Sequence, residues 1–357
     1  MVLDFRLSRR HALGALLLQP AAALLSTSTL FACEGSGRED NGRDQNHFVP
    51  STYPDPRIEV IDSKRFKYKI GNSAVERIAG GSRWAEGPVY IPAMKCLLWS
   101  DAPNNRIMRW LEEDGHVGVF RSQANYANGN TTDKKGRLIS CEHGPRRVTR
   151  TEYDGTISVL ADRYKGKRFN APNDVVVDSK GAIWFTDPGY GIEGPYEGFV
   201  QQSELPRSVY RIDPAGGGVK LVADDVIRPN GLTFAPDESL LYIVNSASGD
   251  EGSASIRVYE VRGDSLGPGR VFVENFAGGT ADGIKVDAGG NLWCAFGWGA
   301  AAENGVRCYA PDGTLIGKIH LPELCANLCF GGKDNSRLFM AASTSIYSVY
   351  LNDRGIL

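Results

Sequence analysis

Histidine and methionine are scarce in this chain, five and four among 357 residues, and cysteine is sparse at seven. No Cys-x-x-Cys pair and no Cys/His cluster occurs, so a zinc site has no ligand set to draw on. The charges nearly cancel, at a formal net of -2, which leaves neither a basic field for nucleic acid nor an acidic tail. A small molecule is therefore the expected partner. After residue 57 no 3.6-residue apolar period is sustained long enough for a major helix, which argues against Rossmann and TIM-barrel organisation. Gly-x-Ser-x-Gly is absent too, and with it the nucleophile elbow of a serine hydrolase. What is abundant is glycine, at 42 residues, in a chain that is 42% hydrophobic. That composition favours a large all-β core with many turns.

The first 33 residues differ from the rest. Arg6, Arg9 and Arg10 precede an apolar stretch from Ala12 to Ala32 with no charged residue, the pattern of an export signal. Ser8-Arg9-Arg10-His11-Ala12-Leu13 keeps the paired arginines and the leucine of a twin-arginine signal, with Ala12 where phenylalanine is usual. Leu30-Phe31-Ala32-Cys33 is similar to a bacterial lipobox, which would tether the chain to a membrane through Cys33; an uncleaved apolar anchor is the alternative. The expected location is the periplasm, either free or membrane-anchored. Residues 34–57 are rich in Gly, Asp, Arg and Pro and read as a flexible linker. Setting Cys33 aside leaves six cysteines in an oxidising compartment, where disulfides are permitted but buried thiols fit the apolar strand patterns equally well.

From residue 58 on, six segments share one grammar: a polar residue, a short apolar strand, a turn, and a second apolar strand often carrying Trp or Tyr. Their first residues are Glu86, Asn130, Asn173, Asn230, Asp282 and Asn327, separated by 43 to 57 residues. This spacing suits one four-stranded blade per repeat, and so predicts an all-β, six-bladed β-propeller over 58–357. The early strand from Ile58 to Ile70 is expected to pair within the last blade and close the ring, removing exposed edges.

In a propeller the first strand of each blade lines the axial channel, so the six opening residues converge at one end of it. All six carry oxygen and none is basic. Carboxylates and amides aimed at one axis suit a hard cation, Ca2+ before Mg2+. Asn230-Gly231 and Asp282-Gly283 are also ordinary turn pairs. Turn chemistry, however, accounts for neither Glu86 nor Asn173, which is followed by Asp174.

The ordered set Trp84-Ala85-Glu86-Gly87-Pro88, Arg168-Phe169-Asn170-Ala171-Pro172-Asn173-Asp174, Phe185-Thr186-Asp187-Pro188, Pro229-Asn230-Gly231-Leu232, Ala281-Asp282-Gly283-Ile284 and Asn327 through Gly332 resembles the regucalcin and gluconolactonase family. The resemblance covers roughly residues 58–357. It implies a six-bladed propeller that binds a divalent cation through Glu86, Asn230 and Asp282, with Asn173 as a fourth ligand or a substrate contact. Asn130 and Arg168 are the other expected substrate-binding residues. The chain departs from some relatives here, since Arg168 lies two residues before Asn170 and five before Asn173.

The activity so implied is hydrolysis of a sugar lactone to its aldonic acid. A cation that polarises the lactone carbonyl makes a covalent nucleophile unnecessary, with Asp282 or His143 as the proton acceptor. Gly189-Tyr190-Gly191 and Gly297-Trp298-Gly299 are expected pocket walls, and Asp187 is expected to hold a turn. Two alternatives stay open: a calcium- or ligand-binding propeller without catalysis, and a paraoxonase-like lactonase or esterase, or strictosidine synthase-like enzyme, acting on other substrates.

Overall fold

The computed structural model describes residues 52–356, except 215–217, 275 and 277–278. The export-signal, lipobox and Cys33 readings, and the linker as far as residue 51, lie outside the described residues. The end of that expected linker is packed rather than loose. Asp55 is fully buried, pairs with Arg57 at 2.7 Å and accepts the Val75 N–H at 2.8 Å.

Second strands such as Leu292–Gly297 and Arg337–Ala342 are buried along their whole length, outer strands such as Val117–Ser122 only in part. The strands pair antiparallel into six blades with one further two-stranded ribbon, Arg163–Tyr164 on Lys167–Arg168. Blade one runs from the inner strand Ala85–Ile91 through Cys96–Asp101 and Arg106–Leu111 to Val117–Ser122. The inner strands of blades two to six are Ala127–Thr132, Val175–Val177, Pro229–Phe234, Thr280–Val286 and Cys325–Gly331. Each inner strand contacts the inner strands of its two neighbours, and the circuit closes from blade six back to blade one.

Ring closure corrects the expected pairing of the early strand. Ile58–Val60 pairs with Leu315–His320 at the outer edge of blade five. Blade six is completed instead by Glu76–Gly80 on Ser345–Tyr350, with Lys69 bridging to Leu351 on the way. One segment thus covers two neighbouring edges, and N- and C-terminal chain share the last blade.

The core lies between blades. Trp99, Trp184 and Trp293 occupy second strands of blades one, three and five and are almost completely buried. Trp184 and Trp293 donate their indole N–H groups to Asp178 and Asp287 at 3.0 and 2.8 Å, which satisfies the polar edge of each ring. Both aspartates open the hairpin turn after an inner strand, so the repeated Asp/Gly turn also anchors the aromatic core. The six cysteines among the described residues are all buried free thiols.

Candidate active site

Five inner strands carry a register shift near their first residues: at Glu86/Val89, Ala127/Asn130, Pro229/Leu232, Ala281/Ile284 and Cys325/Asn327. A bulge re-aims the side chain at that point, here toward the axis. The strands approach so closely there that the following residue is forced to be small. A Cβ on Gly87 would lie 2.1 Å from the Asn128 carbonyl oxygen, and one on Gly231 would lie 2.3 Å from that of Asp282. Gly129 is confined in the same way by the Asn173 carbonyl, and Gly283 by the side chain of Asn327. The repeated residue-Gly pair therefore marks interblade contact rather than a turn.

Glu86, Asn128, Asn173, Asn230 and Asp282 form the floor of one cavity of about 930 Å3 at this end of the channel. Four of the five are expected site residues. The fifth corrects the register of blade two: Asn128, two residues before Asn130, faces the cavity. The Asn130 amide instead donates to Gly87 O, Ser100 Oγ and Asn128 O, and its Oδ1 accepts from Ser140 Oγ. Asn130 is a strut between blades one and two. Arg168 also lies away from the cavity lining; its guanidinium donates to the Pro145 carbonyl at 2.8 Å and its backbone N–H to Glu204.

The floor residues are held by their neighbours. Glu86 Oε2 accepts the Gly87 N–H at 2.8 Å and the Asn327 amide at 3.1 Å, and Asn173 donates to Asn230 Oδ1 at 2.8 Å. Asn327 is thus a support for Glu86. Further back, the last residue of several second strands grips the loop entering the inner strand. Asp187 accepts the Asn170 and Ala171 N–H groups at 2.7 Å each, and Asp101 accepts that of Arg83 at 2.9 Å. Asp187 therefore fixes the approach to Asn173, not the turn at Pro188.

Electrostatically the floor is acidic, and its two carboxylates are buried. Burial, reinforced by Asp282 and Asp174, pushes the Glu86 carboxyl well above the usual carboxylate range, against the pull of the Gly87 and Asn327 donors. Asp282 is pushed up to about 7 by burial, with Asp174 and Glu197 adding to it and Asn230 and the Trp298 indole opposing. Arg228 lines the cavity but is paired with Glu193 and Glu251. Its guanidinium sits 4.5 Å from the Tyr190 ring centroid and holds that wall residue.

His143 is fully buried, with Nδ1 3.2 Å from the Glu197 carbonyl and Nε2 without a hydrogen-bond partner among the described residues. Burial takes it down to about 4, so the ring is neutral at neutral pH. It stands beside Asn173 and behind the cavity lining. Glu197 itself, absent from the sequence-based candidates, lines the cavity, and burial pushes its carboxyl up to about 7. The expected walls are in place: Tyr190 and Trp298 both line the cavity, and so does Trp84.

The model of the SMP-30/gluconolactonase/LRE-like region matches residues 84–344. The chain belongs to this family. Within the family it is similar to a gluconolactonase from Zymomonas mobilis, 31% identical over 96% of this chain and 97% of the relative. It is also similar to pentonolactonase XacC from Haloferax volcanii, 27% identical over 73% of this chain and 82% of the relative. Among solved structures, a gluconolactonase from Xanthomonas campestris superimposes with a TM-score of 0.76 at 36% identity, covering 82% of this chain and 94% of that one.

The donor set of this family member fits a hard divalent cation. Two carboxylates with raised proton affinity face an axis that brings no unpaired basic side chain among the described residues. The Asn128 Oδ1 atom on the same floor is buried with no hydrogen-bond partner among the described residues. Such an oxygen is costly unless a ligand supplies the missing contact. Among the described residues no group of three His, Cys, Asp or Glu side chains suits a metal, so a cation at this floor would draw on amide oxygens as well.

Proposed function

We propose that this chain hydrolyses a sugar lactone to its aldonic acid, with a divalent cation, Ca2+ first, held by Glu86, Asn173, Asn230 and Asp282. The observation that carries the reading is the convergence of these four side chains, with Asn128, on the floor of one cavity. The named activities of the Zymomonas, Haloferax and Xanthomonas relatives support the lactone as substrate.

When bound, the cation supplies polarisation of the lactone carbonyl and stabilises the charge that develops on its oxygen. Asp282 takes a proton from the attacking water as the water oxygen bonds to the carbonyl carbon. It then returns that proton to the ring oxygen as the bond between that oxygen and the carbonyl carbon breaks. Atoms and charge balance without a covalent enzyme intermediate. Asn327 keeps Glu86 in place, and Asp187 does the same for the loop before Asn173. His143 has a positioning role in this scheme: a neutral ring of low basicity that ties the Glu197 loop to the floor.

The test is turnover of glucono-1,5-lactone by the purified chain with Ca2+, with chelator, and with Asp282→Ala whose fold is checked by circular dichroism. The reading requires turnover that depends on both the cation and Asp282. A folded, cation-bound protein that turns over no lactone would make it a binding module instead.

A further inference from the structure

The cavity has more room than a monosaccharide lactone fills. Allowing each of the roughly twelve non-hydrogen atoms of glucono-1,5-lactone the roughly 30 Å3 of a water molecule, the substrate fills about 360 Å3. The cavity measures about 930 Å3. Its outer part differs in character from the acidic floor. Trp84 and Trp298 stand together on the rim with ring centroids 5.4 Å apart, and Tyr196 lines the same cavity while 53% exposed. The same cavity is also lined by the hydroxyl side chains of Ser248, Ser253 and Thr280 and by the apolar Ala247, Ala254 and Phe276.

Trp298 is the informative residue. It is 62% exposed, so it contributes little to the core, and its backbone holds φ at 65°, in the left-handed region, between Gly297 and Gly299. That conformation strains a bulky residue, and such strain concentrates at ligand sites. The Trp298 indole also interacts with the Asp282 carboxyl, so the aromatic rim adjoins the reacting end of the cavity. Aromatic faces beside hydroxyl groups suit a pyranose ring, which offers C–H groups to the indoles and hydroxyls to the serines.

We propose that the outer cavity is a second sugar subsite built on Trp84 and Trp298, and that the substrate class is an aldobionolactone, a sugar lactone bearing a glycosyl group. This rests on the lactonase reading above and adds the substrate's second ring. Chemically, an oxidation at the reducing end of a disaccharide must supply such a lactone.

The experiment compares kcat/KM for cellobiono-1,5-lactone and glucono-1,5-lactone with the Ca2+-loaded chain. The disaccharide lactone should be favoured by about tenfold, the worth of one good stacking contact. Trp84→Ala should erase that preference mainly through KM, and Trp84→Phe, which keeps a ring, should restore most of it. If glucono-1,5-lactone is turned over and cellobiono-1,5-lactone is not favoured, the second subsite is wrong while the lactonase reading stands. A preference that Trp84→Ala leaves intact also overturns it. If neither lactone is turned over, both readings fall together.

Discussion

Asn327 donates its side-chain amide to Glu86 Oε2 at 3.1 Å, a bond that joins blade six to blade one at the point where the ring closes. The Asn327 Oδ1 is fixed in turn by the Leu328 N–H at 2.8 Å, so the amide cannot rotate freely. A ligand carboxylate oriented in this way owes part of its affinity to the supporting group. Asn327→Leu, which keeps the size and removes the donor, should therefore weaken Ca2+ binding by roughly 10- to 100-fold. Isothermal titration of the chelator-stripped variant reads this directly, and unchanged affinity would remove Asn327 from the support of the site.

The two floor carboxylates predict how stability responds to metal removal. The Asp282 pKa is raised from 3.8 in the unfolded chain to about 7 in the fold. The contribution of the protonated group is thus full below pH 3.8 and is lost as pH rises through 7. In chelator at about pH 8, Asp282→Asn should melt at a higher temperature than the parent, and the difference should narrow by about half at about pH 5. Added Ca2+ should reverse the order at the higher pH by stabilising only the parent. Thermal melts under these conditions check it, and a variant less stable than the metal-free parent at the higher pH would contradict the raised proton affinity of the buried floor.

The close approach of inner strands makes a steric prediction. A methyl group added at Gly231 would meet backbone of the next blade, Asp282 O at 2.3 Å and Gly283 Cα at 2.8 Å, and neither can swing aside. Gly231→Ala should cost about 1 to 3 kcal/mol, as overpacking does, and reduce turnover by displacing Asp282. Gly71, which has open space where a Cβ would sit, provides the control: Gly71→Ala should be neutral or slightly stabilising. Urea titrations of both variants give the comparison.

Much of this arrangement is legible along the chain because repetition supplies redundancy. Glu86, Asn173, Asn230 and Asp282 each open a repeat, and the structure brings all four to one floor. Blade two is ambiguous because Asn128-Gly129-Asn130 offers two asparagines. The residue-Gly pairing of Glu86-Gly87, Asn230-Gly231 and Asp282-Gly283 selects Asn128 once glycine is understood as a mark of strand approach rather than of a turn. Ring closure is misread for a similar reason, since strand propensity in residues 58–70 does not say which of two adjacent edges is bare. Glu197 has no local signal at all. It reaches the cavity from an irregular loop whose course is set by long-range contacts such as that of its carbonyl with His143.

His143 gives a prediction of opposite sign. Its pKa falls from 6.5 to about 4 because burial penalises the charged ring, so the folded state favours the neutral form. The stability this provides is fully present above pH 6.5 and is lost as pH falls toward 4. A shift of this size corresponds to about 3 kcal/mol across that window. Glutamine at this position cannot ionise, yet its amide can still donate to the Glu197 carbonyl. His143→Gln should therefore lose less stability than the parent between about pH 7 and pH 4, whatever its stability at the upper end. Chemical denaturation at the two pH values, with chelator present in both, isolates the contribution of the ring. Equal losses would mean that the ring is protonated in the fold, and that the unpartnered Nε2 has found an acceptor after all.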